Sequence, residues 1–161
     1  MRYSMALDPN TVKEACLRAA DILSGMGYIG PYGSIHLLNL KLQRNTLTAI
    51  FHNIVAWQIS ELDKNWDFKP RGGRTPDLVY RGREDQGIQL KCTSNGTIKG
   101  NRVSRNKGYF VLVKYSLCDF RVKVEEILMG ELDSADWDRP EGTQFAILKG
   151  DAEAKLCRIY P

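Results

Sequence analysis

Three polar residues near the middle of the chain have the types and spacing that phosphate hydrolysis requires. Asp77 follows Pro76, and after eleven intervening residues come Gln89 and then Lys91. A carboxylate, an amide oxygen and a backbone carbonyl such as that of Leu90 can together hold Mg²⁺, which prefers oxygen ligands and keeps several waters. A fixed lysine beside them offsets the charge that develops on a phosphoryl oxygen. These residues therefore predict a metal-assisted hydrolytic site.

Two short strands must position these residues. The β-prone runs Leu78–Arg81 and Gly87–Cys92 are separated by the turn-rich segment Gly82–Gln86, which predicts a hairpin. Since residues i and i+2 of a strand share a face, Gln89 and Lys91 should point the same way.

The spacing of Pro76-Asp77 and Gln89-x-Lys91 resembles the PD-(D/E)xK nuclease superfamily, which includes many type II restriction endonucleases. The resemblance covers about residues 46–115. It implies an α/β restriction-endonuclease-like sandwich, with a mixed central β-sheet flanked by helices. It also implies an endonuclease that hydrolyses phosphodiester bonds of double-stranded DNA with Mg²⁺, for which Mn²⁺ is a substitute. The superfamily usually has an acid where this chain has Gln89, although some members replace it.

A helical glutamate usually precedes the motif strands in that superfamily and helps to order the metal site. The segment 46–62 has helical spacing, and Glu61 is its one acid, so the resemblance implies Glu61 as the catalytic partner. By distance from Asp77, however, the usual position falls near His52 or Asn53. All three stay candidates, while histidine-based catalysis is not expected, because the two histidines are not spaced as a metal pair.

Positive charge is concentrated around the motif. Residues 86–118 contain six lysines and arginines and no acid, whereas residues 119–161 contain ten acids and six bases. The loop Thr93–Gly108 also offers amides and hydroxyls for phosphates and base edges, so we expect a DNA partner, with a solvated basic loop as the alternative. The residues expected to contact DNA are Lys69, Arg71, Arg74, Ser94, Asn95, Lys99, Asn101, Arg102, Arg105, Asn106 and Lys107.

Length and composition favour one folded domain over residues 1–161, since 43% of the residues are hydrophobic and 26% are charged. No apolar stretch has the length of a signal peptide or a membrane span, so we expect a cytoplasmic protein without a membrane partner. The four cysteines are widely separated, which favours reduced, mostly buried thiols over zinc or disulfides. We expect a homodimer, because a small domain must cut both strands of a two-fold symmetric target.

The remaining pattern predicts further elements. A helix should start at Asp8-Pro9-Asn10 and end at Gly25 and Gly27, and Tyr28–Ser34 should be a turn. A strand is expected over Tyr109–Leu117, and strand or mixed strand and helix material over Phe120–Val124 and Glu126–Met129.

Two other functions stay open. A non-catalytic DNA-binding module on the same fold would explain Gln89 as the trace of lost chemistry. A structural or protein-interaction domain would make the motif accidental, because an aspartate after proline is typical of turns. A glutamine and a lysine two apart are also typical of the solvent face of a strand.

Overall fold

The computed structural model describes residues 7–69, 76–100 and 107–161, with the side chains of Tyr28 and Glu84 left aside. The helices and strands are α1 (Pro9–Gly25), β1 (Gly27–Gly30), β2 (Gly33–His36), α2 (Arg44–Leu62), β3 (Trp66–Phe68), β4 (Leu78–Tyr80), β5 (Arg83–Thr93), β6 (Gly108–Cys118), β7 (Arg121–Leu132), β8 (Trp137–Asp138), β9 (Ile147–Leu148) and β10 (Cys157–Tyr160). Single-turn 3-10 helices lie at Leu37–Leu40, Ser134–Asp136 and Ala152–Lys155.

Six strands form one mixed sheet in the order β10-β7-β6-β5-β4-β3. β5 and β6 are parallel, with Leu90 opposite Val111 and Lys91 opposite Leu112. The other neighbouring pairs are antiparallel. The predicted mixed α/β class is therefore confirmed.

The hairpin that joins β4 and β5 is confirmed, but its turn is shorter than predicted. Arg81 and Gly82 both have left-handed backbone angles, with φ of 40° and 75°. Two such residues in succession make the tight turn that matches the twist of paired strands. β5 therefore begins at Arg83 rather than at Gly87.

Both predicted helices are present. Asp8 caps α1, since its carboxylate accepts hydrogen bonds from the backbone N–H groups of Asn10 and Thr11. α2 begins at Arg44, two residues before the predicted start, and ends at Leu62 as predicted.

Both α-helices pack on the same face of the sheet. α1 contributes small buried side chains such as Ala15 and Ala19, and α2 contributes Phe51 and Val55. These residues share one apolar cluster with alternate residues of the strands, namely Leu78, Ile88, Leu90, Val111, Val113, Tyr115, Val122, Val124, Ile127 and Met129.

The prediction that helices flank the sheet on both faces is wrong for the described residues. The second face carries Phe110, Leu112, Leu128 and Leu132, and a mostly irregular C-terminal segment covers it. This segment spans residues 134–156 and contributes five apolar side chains to that cluster, while Ile98 contributes another from the segment after β5. The five are Trp137, Ala146, Leu148, Ala152 and Leu156. Pro140, Gly142 and Gly150 interrupt this segment and disfavour a continuous helix.

Two further segments differ from the predictions. The segment predicted as a turn at Tyr28–Ser34 is a hairpin of β1 and β2, in which Gly27 lies so close to β2 that a Cβ there would be 2.5 Å from the Ile35 carbonyl oxygen. Residues 121–132 form one long strand, because a bulge at Glu125 absorbs the break in the apolar pattern.

Two findings bear on the expectations about membranes and thiols. No helix among the described residues has the length and apolar character needed to cross a bilayer. All four cysteines are free, but only Cys16 is fully buried, while Cys118 and Cys157 are exposed. The expectation of mostly buried thiols is therefore wrong in part.

Candidate active site

The candidate site lies where β4 separates from β5. β4 is paired with β5 from Leu78, which stands opposite Ile88, and Asp77 immediately precedes that pair. Beyond Ile88, the residues of β5 up to Thr93 are paired with β6 along their other edge. The peptide groups of β5 that face away from β6 can therefore form hydrogen bonds with side chains where β4 and β5 separate, a position called here the fork.

Asp77 and His52 engage both peptide groups of Leu90. The Leu90 backbone N–H donates to Asp77 Oδ2 at 2.8 Å. His52 Nε2 lies 3.2 Å from the Leu90 carbonyl oxygen and 3.4 Å from Asp77 Oδ1. Two oxygen atoms, one carboxylate and one carbonyl, therefore converge on a single point, which the imidazole N–H occupies.

α2 holds His52 over this fork through the residue before it. Phe51 is fully buried, and its ring centroid lies 4.7 Å from that of Tyr115 on β6. The Tyr115 hydroxyl is also hydrogen-bonded to Thr48 Oγ1 at 2.7 Å. These contacts fix the rotation of α2, so that His52 points at the open edge of β5 instead of at solvent.

The surroundings of His52 favour its protonated form. Burial of the ring lowers the pKa of His52, but the hydrogen bond and negative charge of Asp77 and the hydrogen bond to Asn53 together raise it more. The nearby charge of Lys91 acts in the opposite direction. The net effect is that the pKa of His52 lies above the ordinary imidazole value, as expected for a histidine that is hydrogen-bonded to a carboxylate.

No family model matches this chain, and no curated protein does.

A hollow of about 290 Å³ opens beside His52, between α2 and β5. Lys91 lines it and is half-buried. Cys92 also lines it, and burial holds the pKa of the Cys92 thiol well above its ordinary value. This cavity, the site hollow, is lined by Asn45, Thr48, Ala49, His52, Asn53, Leu90, Lys91 and Cys92.

The oxygen donors of the site fit a hard cation better than a soft one. Asp77 Oδ1 and the Leu90 carbonyl already converge, and hard cations such as Mg²⁺ take oxygen ligands. Gln89 follows the alternation of β5 and pairs with Phe110, on the face opposite Leu90 and the same face as Lys91. Across the described ranges, no group of three or more His, Cys, Asp and Glu side chains is gathered as a metal site.

Glu61 lies apart from these residues. It is nine residues beyond His52 on α2, which is about 13 Å along the axis and half a turn around it. Its carboxylate pairs with Lys64 at 3.1 Å, and both side chains are at least half exposed. The residue of α2 that meets Asp77 is His52, and Asn53 supports His52 from the next position.

The expected DNA contacts divide into two sets. Arg71, Arg74, Asn101, Arg102, Arg105 and Asn106 lie outside the described residues. Ser94, Asn95 and Lys99 line a hollow near the N-terminus of α2. Lys107 is exposed just before β6, and the backbone N–H of Lys69 donates to the Asp77 carbonyl oxygen at 2.9 Å.

One lysine of the basic stretch is neutralised within the molecule. Lys114 on β6 lies 2.8 Å from Glu126 and 2.7 Å from Glu153. Arg158 on β10 lies 2.5 Å from the other oxygen of Glu126. Lys114 therefore belongs to an internal ion-pair network and does not contribute to an anion-binding surface.

His52 and Asn53 were predicted as candidates, but the polar stripe of α2 to which they belong was not. Asn45, Thr48, His52 and Asn53 recur at helical spacing and all line the site hollow. Buried Leu47, Phe51 and Val55 lie on the adjoining stripe. Polar residues directly beside the apolar stripe of a helix lie at the rim of its packed face. The helical spacing of these four residues could therefore have been recognised in the sequence.

Proposed function

We propose that this protein is a Mg²⁺-dependent endonuclease of restriction type that hydrolyses phosphodiester bonds in double-stranded DNA. The observation that carries the proposal is the convergence of Asp77 Oδ1 and the Leu90 carbonyl oxygen on one point at the fork of β4 and β5. Lys91 lines the hollow that opens beside this point.

The fold supports the same family resemblance. α2, β3, β4, β5 and β6 follow one another, and β5 is parallel to β6, so the motif residues stand on adjacent strands behind a helix. The helix that the superfamily has between its second motif strand and the next strand is not seen in residues 94–100. Residues 101–106 of that connection lie outside the described part.

Each side chain of the site has a distinct task under this proposal. The Leu90 N–H holds Asp77 Oδ2, so that Oδ1 faces the site with its charge. Lys91 offsets negative charge on the phosphate that is attacked. A bound Mg²⁺ would supply a water of lowered pKa and would neutralise charge on the leaving oxygen. Asp77, the Leu90 carbonyl and the Gln89 amide oxygen would hold it.

His52 then occupies the metal position in the free protein. Its imidazole lies at the point on which the two oxygens converge, so the ring must turn away before a metal cation can take that place. One carboxylate with neutral oxygens makes a weak site for a divalent ion, and the phosphates of DNA would complete it. Binding of metal and DNA should therefore be mutually dependent.

The test is cleavage of supercoiled plasmid and mixed-sequence linear duplex with Mg²⁺, Mn²⁺ or EDTA. We expect cleavage only with metal and its loss in Asp77→Asn and in Lys91→Met. Asp67→Asn, which removes an exposed carboxylate on β3, is the matched control and should keep activity. Intact DNA with the wild-type protein at every metal concentration would overturn the proposal.

Oligomeric state can be read from the same plasmid. A homodimer with one site on each strand should convert supercoiled plasmid directly to the linear form, whereas a monomer should accumulate nicked circles. Sedimentation of the protein with a short duplex would check the dimer independently.

A second function has one observation in its favour. The His52 imidazole satisfies Asp77 without any metal, and Gln89 adds no negative charge. Such a site suits a DNA-binding module that no longer cleaves. Metal-independent binding of duplex DNA without any cleavage would favour this module over the enzyme.

A further inference from the structure

A second hollow adjoins the site hollow at the N-terminal end of α2. It has a volume of about 180 Å³ and shares Asn45, Thr48 and Cys92 with its neighbour. Its remaining walls include Arg44 from α2 and Ser94, Asn95 and Lys99 from the segment after β5. The two hollows form one groove, called here the phosphate groove, which runs from His52 to Arg44 and Lys99.

The charge of this groove has a single sign. Arg44, Lys91 and Lys99 line it, and among the described residues no aspartate or glutamate does. The hollow at the other end of α2 differs, because Glu61 and Asp67 line it together with lysines. A run of cations without carboxylates attracts a ligand that carries several negative charges.

Lys99 is held in place from the other side of the molecule. Its backbone bridges to Ile147, and the neighbouring bonds join Gly100 N–H to the Ala146 carbonyl and Leu148 N–H to the Ile98 carbonyl. The Lys99 ammonium lies 4.7 Å from the centroid of the Phe145 ring. The C-terminal segment therefore fixes this cation at the groove.

The first turn of α2 and the Ser94 hydroxyl add hydrogen-bonding capacity. Gln43 makes no side-chain cap to α2, so backbone N–H groups at the start of this 19-residue helix remain for a ligand. Ser94 Oγ is buried and has no hydrogen-bond partner among the described residues. A phosphate oxygen would satisfy such groups, whereas an apolar ligand would leave them unpaired.

We propose that the phosphate groove binds the backbone of the substrate strand beside the phosphate that is cut, with Arg44 and Lys99 clamping a neighbouring phosphate. Arg44 and His52 are eight residues apart on α2, about 12 Å along its axis. Successive nucleotides of one duplex strand rise about 3.4 Å along the duplex axis, so the groove is long enough to hold the attacked phosphate and a neighbouring one. This inference rests on the proposed function and gives the substrate strand a fixed direction through the site.

The test is equilibrium binding of a labelled 20-base-pair duplex, measured by fluorescence anisotropy between 50 and 200 mM salt. EDTA is present, so that no metal-dependent cleavage occurs. Arg44→Gln and Lys99→Gln should each lower the slope of log K against log salt by about 1, because one phosphate contact is lost. The double variant should lose about 2. Lys123→Gln removes an exposed lysine on β7 and should leave the slope unchanged, and Lys99→Arg should restore it.

Each outcome decides the matter. If Arg44→Gln and Lys99→Gln bind like Lys123→Gln while the wild-type protein cleaves DNA with Mg²⁺, the groove inference is wrong and the proposed nuclease stands. If the wild-type protein binds no duplex in EDTA at 50 mM salt but cleaves DNA with Mg²⁺, the groove inference is wrong and the proposed nuclease stands. If it neither binds in EDTA nor cleaves with Mg²⁺, both are wrong. Arg44 and Lys99 are exposed, so thermal unfolding of the variants should match that of the wild-type protein.

Discussion

Gly87 on β5 faces the ring of Pro76 with no room for a side chain between them. A Cβ at residue 87 would lie 2.1 Å from Pro76 Cγ and 2.2 Å from Pro76 Cβ. Glycine therefore lets the proline ring pack directly against β5. Because Asp77 is the next residue, this contact determines where its carboxylate meets the Leu90 N–H.

Replacing Gly87 with alanine should displace Pro76 and with it Asp77. We expect a loss of about 1–3 kcal/mol in the free energy of unfolding, as for other overpacked sites, and a large loss of cleavage. Gly150→Ala is the control, since a Cβ there meets nothing within 4 Å. Urea unfolding measures the stability, and a Gly87→Ala protein as stable and active as the control would contradict the proposed role.

Asp77 should contribute to stability through its hydrogen bond as well as to chemistry through its charge. Asp77→Ala leaves the buried Leu90 N–H without its acceptor, at a cost of about 1–3 kcal/mol, whereas Asp77→Asn keeps an oxygen there. We expect both variants to lose cleavage but Asp77→Ala to unfold at lower urea. Equal midpoints for the two would show that the Leu90 bond is not important in solution.

The pKa of His52 should be raised in metal-free buffer and should fall in Asp77→Asn. Since the pKa is higher in the folded protein, the pair stabilises the fold fully below the unfolded value of about 6.5. That contribution disappears as pH rises through the folded pKa. Imidazole ¹⁵N NMR titration in EDTA measures the shift, with Asp67→Asn as the control. The same His52 pKa in wild type and Asp77→Asn would argue against the contact.

Gln89→Glu tests whether residue 89 is a metal ligand. A second carboxylate beside Asp77 should tighten Mg²⁺ or Mn²⁺ binding or change the preference between them, because charge dominates the affinity of oxygen sites for divalent ions. Calorimetric titration of the free protein with Mn²⁺ is the measurement. Unchanged affinity and unchanged metal preference would remove residue 89 from the site.

The features predicted correctly from the sequence are local ones. Helical spacing identified α1 and α2, and two β-prone runs around a turn identified the hairpin of β4 and β5. The β1–β2 hairpin was not predicted, because it depends on the missing side chain of Gly27 and not on strand propensity. A run of glycines and aromatics therefore looked like a turn.

Relationships between distant residues escaped prediction for a different reason. Lys114 looked like part of an anion-binding stretch, but Glu153, 39 residues away, neutralises it. His52 was one of three candidates for the residue of α2 that completes the site, but its partners were not predicted. They are a carboxylate and a main-chain carbonyl that only the separation of β4 from β5 brings together.

The Leu90 peptide has a consequence for solubility. Without Asp77 and His52, the edge of β5 that β4 leaves would offer an unpaired N–H and C=O of Leu90 to a strand of another molecule. Asp77 accepts a hydrogen bond from the N–H and His52 binds the C=O, so these two side chains of the candidate site also prevent intermolecular β-pairing at this edge. A variant that lacks both side chains should therefore aggregate more readily than the wild-type protein at high protein concentration.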